Sequence, residues 1–450
     1  GIPSRNRGVD ERYPRPQGRR RGARRRPDLP LGRVAAERDD RDASHRGVPV
    51  FAFPAARLCA VSESAPQSTG RRVNWLELIF DLVMVACVGQ IAHTMHGDPS
   101  PLAFLGFFGL LAAAWWAWVN ATVTMNLFGA RVTPVIWAAV TVAMIAIAFM
   151  AATVPEAFDE RAAGFAIANA VIRVVWMFPW LTKRRVAGIP WWRPVLYSLV
   201  PTTLWLVSIA VPAPGRYAVW VLAIVVEAVL LIRINRGDDW LTANLDVAHL
   251  TERVALLVVI VFGESVLSII TELDLAWAPA TWAAAVVGLV AVVLLAWVFF
   301  TYATTSVESG LHRLQSRGSL TGLRDTVMYL PFLLIAGVVL FAAGLGTAVA
   351  EAEAVLPAGA AVALSGGVSL YFLASAAESL RYGVAWRTVL LWGPAGIVLP
   401  WAVTLIAPHL SALGTITAMA LLIVLLVALN VQNVRLMGPH AVVGGDAPPK

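Results

Sequence analysis

Charge is the scarce ingredient of this chain. Only 14% of its 450 residues are Asp, Glu, Lys or Arg, where a soluble domain carries about a quarter. So few charges cannot build a water-facing surface for a chain this long, which excludes a soluble globular fold. Cysteine is scarcer still. Cys59 and Cys87 stand alone, which excludes a disulfide framework, and Cys87 lies in an apolar run where a free thiol packs as a small hydrophobe. There is no phosphate-binding glycine loop, no serine or cysteine nucleophile motif, and no Cys/His spacing suited to zinc. An intramembrane enzyme would need a constellation that is missing, so the expectation is a non-enzyme without a cofactor or metal.

What the chain has instead is apolar length. Hydrophobic residues make up 58% of it, and the mean hydropathy is +0.70. Runs of about 18 or more apolar residues read as membrane-spanning helices. Twelve such segments are predicted near 75–95, 102–124, 134–153, 163–181, 194–212, 216–234, 250–271, 279–301, 327–346, 356–376, 388–407 and 412–430. The expected fold is an all-α, polytopic transmembrane bundle with the lipid bilayer as its first partner. Trp75, Trp191, Trp192, Tyr217, Trp240, Trp277 and Trp386 stand near segment ends, as an interfacial aromatic belt requires.

The net charge of +7 is a property of one segment. Residues 1–72 hold 17 arginines and 8 acids, whereas the remainder holds 18 basic and 20 acidic residues. The segment is Arg- and Pro-rich with little to bury, so disorder is expected, as it is for the tail 437–450. A nucleic-acid partner is not expected. No Met precedes Met84, and one reading is an upstream in-frame extension with Val61 as the start.

Positive charge also fixes an orientation. Loops on one side carry Arg71, Arg72, Arg131, Lys183, Arg184, Arg185, Arg193, Arg233, Arg236, Arg313, Arg317, Arg324, Arg381, Arg387 and Arg435, and those on the other only Arg161 and Arg216. Both termini are expected in the cytoplasm.

Recurring stretches point to duplication. WRPVL at 192–196 matches WRTVL at 386–390. The spacing of Trp205 to Pro212 repeats between Trp401 and Pro408, and AWV recurs at 117–119 and 296–298. The expectation is two parallel six-helix repeats, 73–240 and 241–436.

Against this background the remaining charges stand out. An ionisable group at bilayer depth costs about 2.5–3.5 kcal/mol on insertion scales. In HLTERVALLVVIVFGESVLSII, residues 249–270, a helix places His249, Arg253, Glu264 and Ser268 on one face, with Glu264 about 16 Å beyond Arg253. Arg173 and Glu227 lie at similar depth, and a triad of Arg173, Glu227 and Glu264 is expected because opposite signs offset desolvation. In the first span Glu77 and Asp81 share a face, and Gln90 and His93 lie toward the other end. The turn HTMHGD holds metal-type side chains, His93, His96 and Asp98, without a fourth ligand.

Three patterns carry a family resemblance: Glu77-Leu-Ile-Phe80-Asp81-Leu82-Val83 with Gln90 and His93; Trp115-Trp116-Ala-Trp118 with Asn126 and Phe128; and His249-x-x-Glu252-Arg253 followed by Gly263-Glu264-Ser265. Together, over about 72–436, they resemble the bacterial low temperature requirement A (LtrA) family. Gly129 departs from the family's pattern, which often has Asp there. The resemblance implies a membrane protein linked to growth in the cold and no defined biochemical activity.

The site expected from these readings comprises Glu264, Arg253, His249, Glu252, Arg173, Glu227, Asp81, Glu77, Gln90 and His93. It serves proton-coupled secondary transport of a small-molecule or ion substrate, with Glu264 as the coupling carboxylate. The rival is a membrane sensor or envelope factor whose buried charges only hold helices together. The two differ in one observable. Transport predicts a polar, partly hydrated cavity between the halves that reaches Glu264; a structural role predicts Glu264 fully packed against Arg173 or Arg253.

Overall fold

In the computed structural model the described residues are 73–234, 240, 244–303, 310–311 and 328–437. The expectations for the segment 1–72, most of the 303–325 loop and the tail after 437 lie outside them. The described chain is helical, with a single isolated bridge between Val355 and Ser411.

Helices begin where the sequence supplies caps and prolines. Asn74 accepts the Leu76 N–H to open α1 (Trp75–His93), and Ser100 and Thr133 cap α2 (Pro101–Phe128) and α3 (Pro134–Thr153), each with proline in the first turn. There follow α4 (Ala162–Lys183), α5 (Trp192–Ala210) and α6 (Gly215–Ile234). Asp246 caps α7 (Val247–Leu275), and Pro279 opens α8 (Pro279–Val298), which loosens into a π-helical turn, Phe299–Ala303. The remaining long helices are α9 (Leu330–Ala350) and α10 (Ala358–Arg381). The next span is broken. Pro394 and Pro400 each remove a donor, leaving α11 (Trp386–Val389), α12 (Gly393–Val398) and α13 (Pro400–Ile406) before α14 (Ala412–Met437).

The twelve predicted segments are all helical, and eleven are long and apolar enough to cross a membrane. The exception is α5, 19 residues long. Its hydropathy is lowered by Ser198, Pro201, Thr202, Thr203 and Ser208. Within the bundle those hydroxyls are satisfied locally: Thr202 donates to the Ser198 carbonyl and Ser208 to that of Trp205.

Helices α1 to α6 pack mainly on one another, with α1 on α2 and α3, α3 on α4, α4 on α5 and α5 on α6. The second group is organised around α9, which touches α7, α8, α10 and α14. Some 89% of its apolar window is buried, so α9 is an interior helix shielded from lipid. It reaches α10 through glycine. A β-carbon on Gly337 would stand 2.7 Å from both the Gly367 carbonyl oxygen and the Tyr371 nitrogen. Backbones this close are the usual basis of helix association in lipid, where apolar side chains gain nothing by leaving the solvent. The two groups meet where α1 and α2 touch α7 and α9.

The sequence pairs that suggested duplication sit in unlike surroundings. Trp205 is fully buried and Trp401 exposed, and α5 is continuous where the 386–409 segment is broken.

Candidate functional site

Apart from the buried Glu378 on α10, the charged residues inside the bundle and their ionisable neighbours form three groups. The first ties α1 and α2 to α7 at the end where α1 begins. Asn126, at the end of α2, accepts the Asp246 N–H at 3.0 Å and donates from Nδ2 to the Asp246 carbonyl at 2.8 Å. That pair orients the amide. Its Nδ2 also faces His249 Nδ1 at 3.1 Å, so the imidazole accepts there and carries its N–H at Nε2. His249 Nε2 then donates to Glu77 Oε2 at 2.8 Å. One turn deeper, Arg253 donates from Nη1 to Glu77 Oε2 at 3.4 Å and from Nη2 to Asp81 Oδ1. Trp118 on α2 donates to the same Asp81 oxygen at 2.8 Å, and its ring lies 5.7 Å from the Arg253 guanidinium carbon. Glu77, Asp81, His249 and Arg253 are all buried.

The second group lies within the first six helices. Arg173 on α4 donates from Nε to Glu227 Oε2 on α6 at 2.8 Å, and from Nη1 to Asn169 Oδ1 at 2.9 Å. Asn120 on α2 donates to the other Glu227 oxygen at 2.8 Å and accepts from Tyr197 of α5 at 2.8 Å. The Arg173 guanidinium sits 5.3 Å from the Trp205 ring centre. Four helices are thus joined through one ion pair.

The third group stands at the opposite end of α1 and α7, and it is assembled differently. The Glu264 carboxylate lies flat against Gly89 of α1, where an added β-carbon would stand 2.5–2.9 Å from it. Glu264 is half-buried and makes no hydrogen bond or ion pair among the described residues. One turn on, Ser268 packs on Gly346 of α9 beside the His96 ring, its hydroxyl buried without a partner. A further turn on, Glu272 Oε1 lies 3.5 Å from His96 Nδ1, with the two side chains 14% and 20% exposed. The His93 and His96 rings are 4.6 Å apart. Burial, followed by the neighbouring His93, pulls His96 down to about 4 despite the Glu272 carboxylate.

Several sequence expectations change here. The expected triad of Arg173, Glu227 and Glu264 does not form. The first two pair, and Glu264 faces α1 instead, because α7 turns its polar face toward α1 and α9 whereas Arg173 points at α6. The stripe His249, Arg253, Glu264, Ser268 does share a face, but it divides into a packed end and an open one. Glu252 and Gln90 are exposed and belong to none of the groups. His93 is exposed beside His96. The Asp98 carboxylate accepts the Gly359 N–H at 2.7 Å and caps α10 rather than joining His93 and His96. Among the described residues no three His, Cys, Asp or Glu side chains are placed to hold a metal ion. Sequence reasoning passed over Asn120, Asn169, Tyr197 and Glu272. The two asparagines carried a readable signal, since a lone amide in an apolar span needs a partner.

The fold and these groups define a multi-pass α-helical membrane protein with ionisable side chains at the interface of two helix groups. A family model, "Bacterial low temperature requirement A protein (LtrA)", matches residues 72–428. The chain belongs to the LtrA family. It is similar to an uncharacterised protein of Rhizobium meliloti (strain 1021), with 29% identity over 210 residues, covering 44% of this chain and 50% of the relative. The chain thus spans about half the length of that curated relative. No solved structure matches it.

Proposed function

We propose that the protein is a secondary transporter of the bacterial inner membrane, with both termini cytoplasmic, in which Glu264 binds the coupling proton. One observation carries this reading. Both fully buried arginines are committed to other carboxylates, Arg173 to Glu227 and Arg253 to Asp81 and Glu77, while Glu264 is half-buried between the two helix groups with no hydrogen bond or ion pair among the described residues and the exposed His93 as its charged neighbour. A carboxylate held at depth only to fix helix register would have taken a partner, because an unpaired charge there is costly. A group that must gain and release a proton is better left without one. The cargo is a small molecule or an ion, and protein catalysis forms no part of the proposal.

The non-transporting alternative draws its support from the other two groups, whose closed hydrogen bonding is what structural ion pairs look like. Reconstitution decides between them. In proteoliposomes under an imposed proton gradient, the wild type is expected to acidify the lumen and Glu264→Gln to behave as empty vesicles. Wild-type vesicles indistinguishable from empty ones for every cargo tried would favour the structural reading.

A further inference from the structure

Asp81 is the one fully buried aspartate among the described residues. Its Oδ1 takes two donors, Arg253 Nη2 and Trp118 Nε1, while its Oδ2 and the Arg253 Nε are each buried without a partner. The groups that face it are Arg253 on α7, Trp118 on α2 and Glu77 on α1, with His249 behind Glu77. Arg253 therefore divides a single positive charge between two carboxylates. Along α1 and α7, the residues between Asp81 and Gly89 and between Arg253 and Glu264 include Met84, Val85, Val88, Leu257, Val258 and Val261, all buried in the apolar core.

We propose that Asp81 Oδ2 is a second proton-binding site, separated from Glu264 by this apolar layer. It deepens the transport reading and rests on it for its role in a cycle, although not for its existence. A buried carboxylate oxygen without a donor costs about 1–3 kcal/mol or more, and a proton at Oδ2 removes the negative charge that burial penalises. A metal cation does not suit the place. It requires several oxygen ligands, and the nearest groups are the N–H donors of an arginine and a tryptophan. A proton needs only the lone pair. It forms an O–H bond at Oδ2, coming from water at that end of the bundle and returning to water when the bond breaks, with no change of oxidation state. Glu264 and Asp81 then serve opposite ends of the α1–α7 interface, and the apolar layer keeps them from exchanging until the helices move.

The test is infrared spectroscopy of the full chain in lipid, with carbon-13 in the aspartate carboxyl groups. All fourteen aspartates carry the label, so the signal is the wild-type spectrum minus that of Asp81→Asn across a pH titration; the expected result is a titrating carboxylic-acid carbonyl component in that difference, kept in a Glu264→Gln background. A difference spectrum with no carboxylic-acid component at any pH where the protein is folded would overturn the proposal, Oδ2 then holding an ordered water only. Asp81→Glu, whose carboxyl carries no label, supplies the same difference if Asp81→Asn does not fold. Loss of the proton-flux reading with the Asp81 band intact would leave this site standing.

Discussion

Two polar regions share the interface of α1 and α7, and they are built by opposite rules. At the end where α1 begins, Glu77, Asp81, His249 and Arg253 are buried and bonded to one another, to Trp118 and to Asn126. Eight residues along α1, Glu264 rests on the bare backbone of Gly89 with no partner, and the nearby His96 and Glu272 keep some exposure. The first arrangement has strong hydrogen bonds that are lost together if one member is removed. The second has little to lose on substitution and a great deal of freedom to change protonation. The two ends therefore differ in how much stability rests on their charged groups, and substitutions should separate them.

The largest effect is expected at the packed end. Arg253→Met removes the guanidinium that Glu77 and Asp81 share, and breaking a buried pair in this way costs about 3–5 kcal/mol. Thermal unfolding in detergent should show a large fall in Tm or no folded protein; an unchanged Tm would erase the distinction between the regions. Arg173→Met should behave alike by stranding Glu227. The double variant Arg173→Met with Glu227→Leu should recover much of the loss, because an apolar pair of similar volume replaces the whole ion pair.

Next in size is a pair of glycine substitutions that meet different neighbours. At Gly337 a β-carbon runs into the backbone of α10 at Gly367 and Tyr371, so Gly337→Ala must push two helices apart and is expected to cost about 1–3 kcal/mol. At Gly89 it meets only the end of the Glu264 side chain, which can swing away. Gly89→Ala should therefore leave Tm nearly unchanged while altering proton flux. The reverse ranking would mean that Glu264 is held more firmly than its lack of hydrogen bonds implies.

A smaller effect concerns pH. The folded protein holds His96 down at about 4, below the ordinary histidine value. Between those values the unfolded chain binds the proton and the folded chain does not. The contribution of His96 to stability is therefore full at neutral pH and falls as pH drops through the ordinary value toward 4. Histidine NMR on the wild type should show one ring still neutral near pH 5, and that resonance should vanish in His96→Gln. The same substitution should flatten the decline of Tm on acidification.

Much of the fold was legible in the sequence, because spans are set by apolar length and by proline, glycine and capping residues, all local features. Segment 134–153 coincides with α3, and most other ends agree within a few residues. The break at 386–409 was readable from Pro394 and Pro400. The pairing of charges was less legible. Helical phase placed His249, Arg253 and Glu264 on one face, and Glu77 and Asp81 on another, but phase does not say which helix a face meets. Arg173 and Glu227 were matched correctly by depth and sign, and Glu264 was wrongly added by the same argument. The choice between them depends on which way α7 is rotated, and that is fixed by Gly89 and Gly346, small residues whose meaning appears only when a side chain is seen lying on them.

The separation of roles is tested most directly by one paired measurement. Glu264→Gln and Glu264→Asp are each reconstituted, and proton flux is recorded beside the Tm of the same preparation. The account predicts an unchanged Tm in both, with flux abolished in the glutamine variant and retained in part by the aspartate. Full flux in Glu264→Gln would contradict it, as would a collapse of Tm on the scale expected for Arg253→Met.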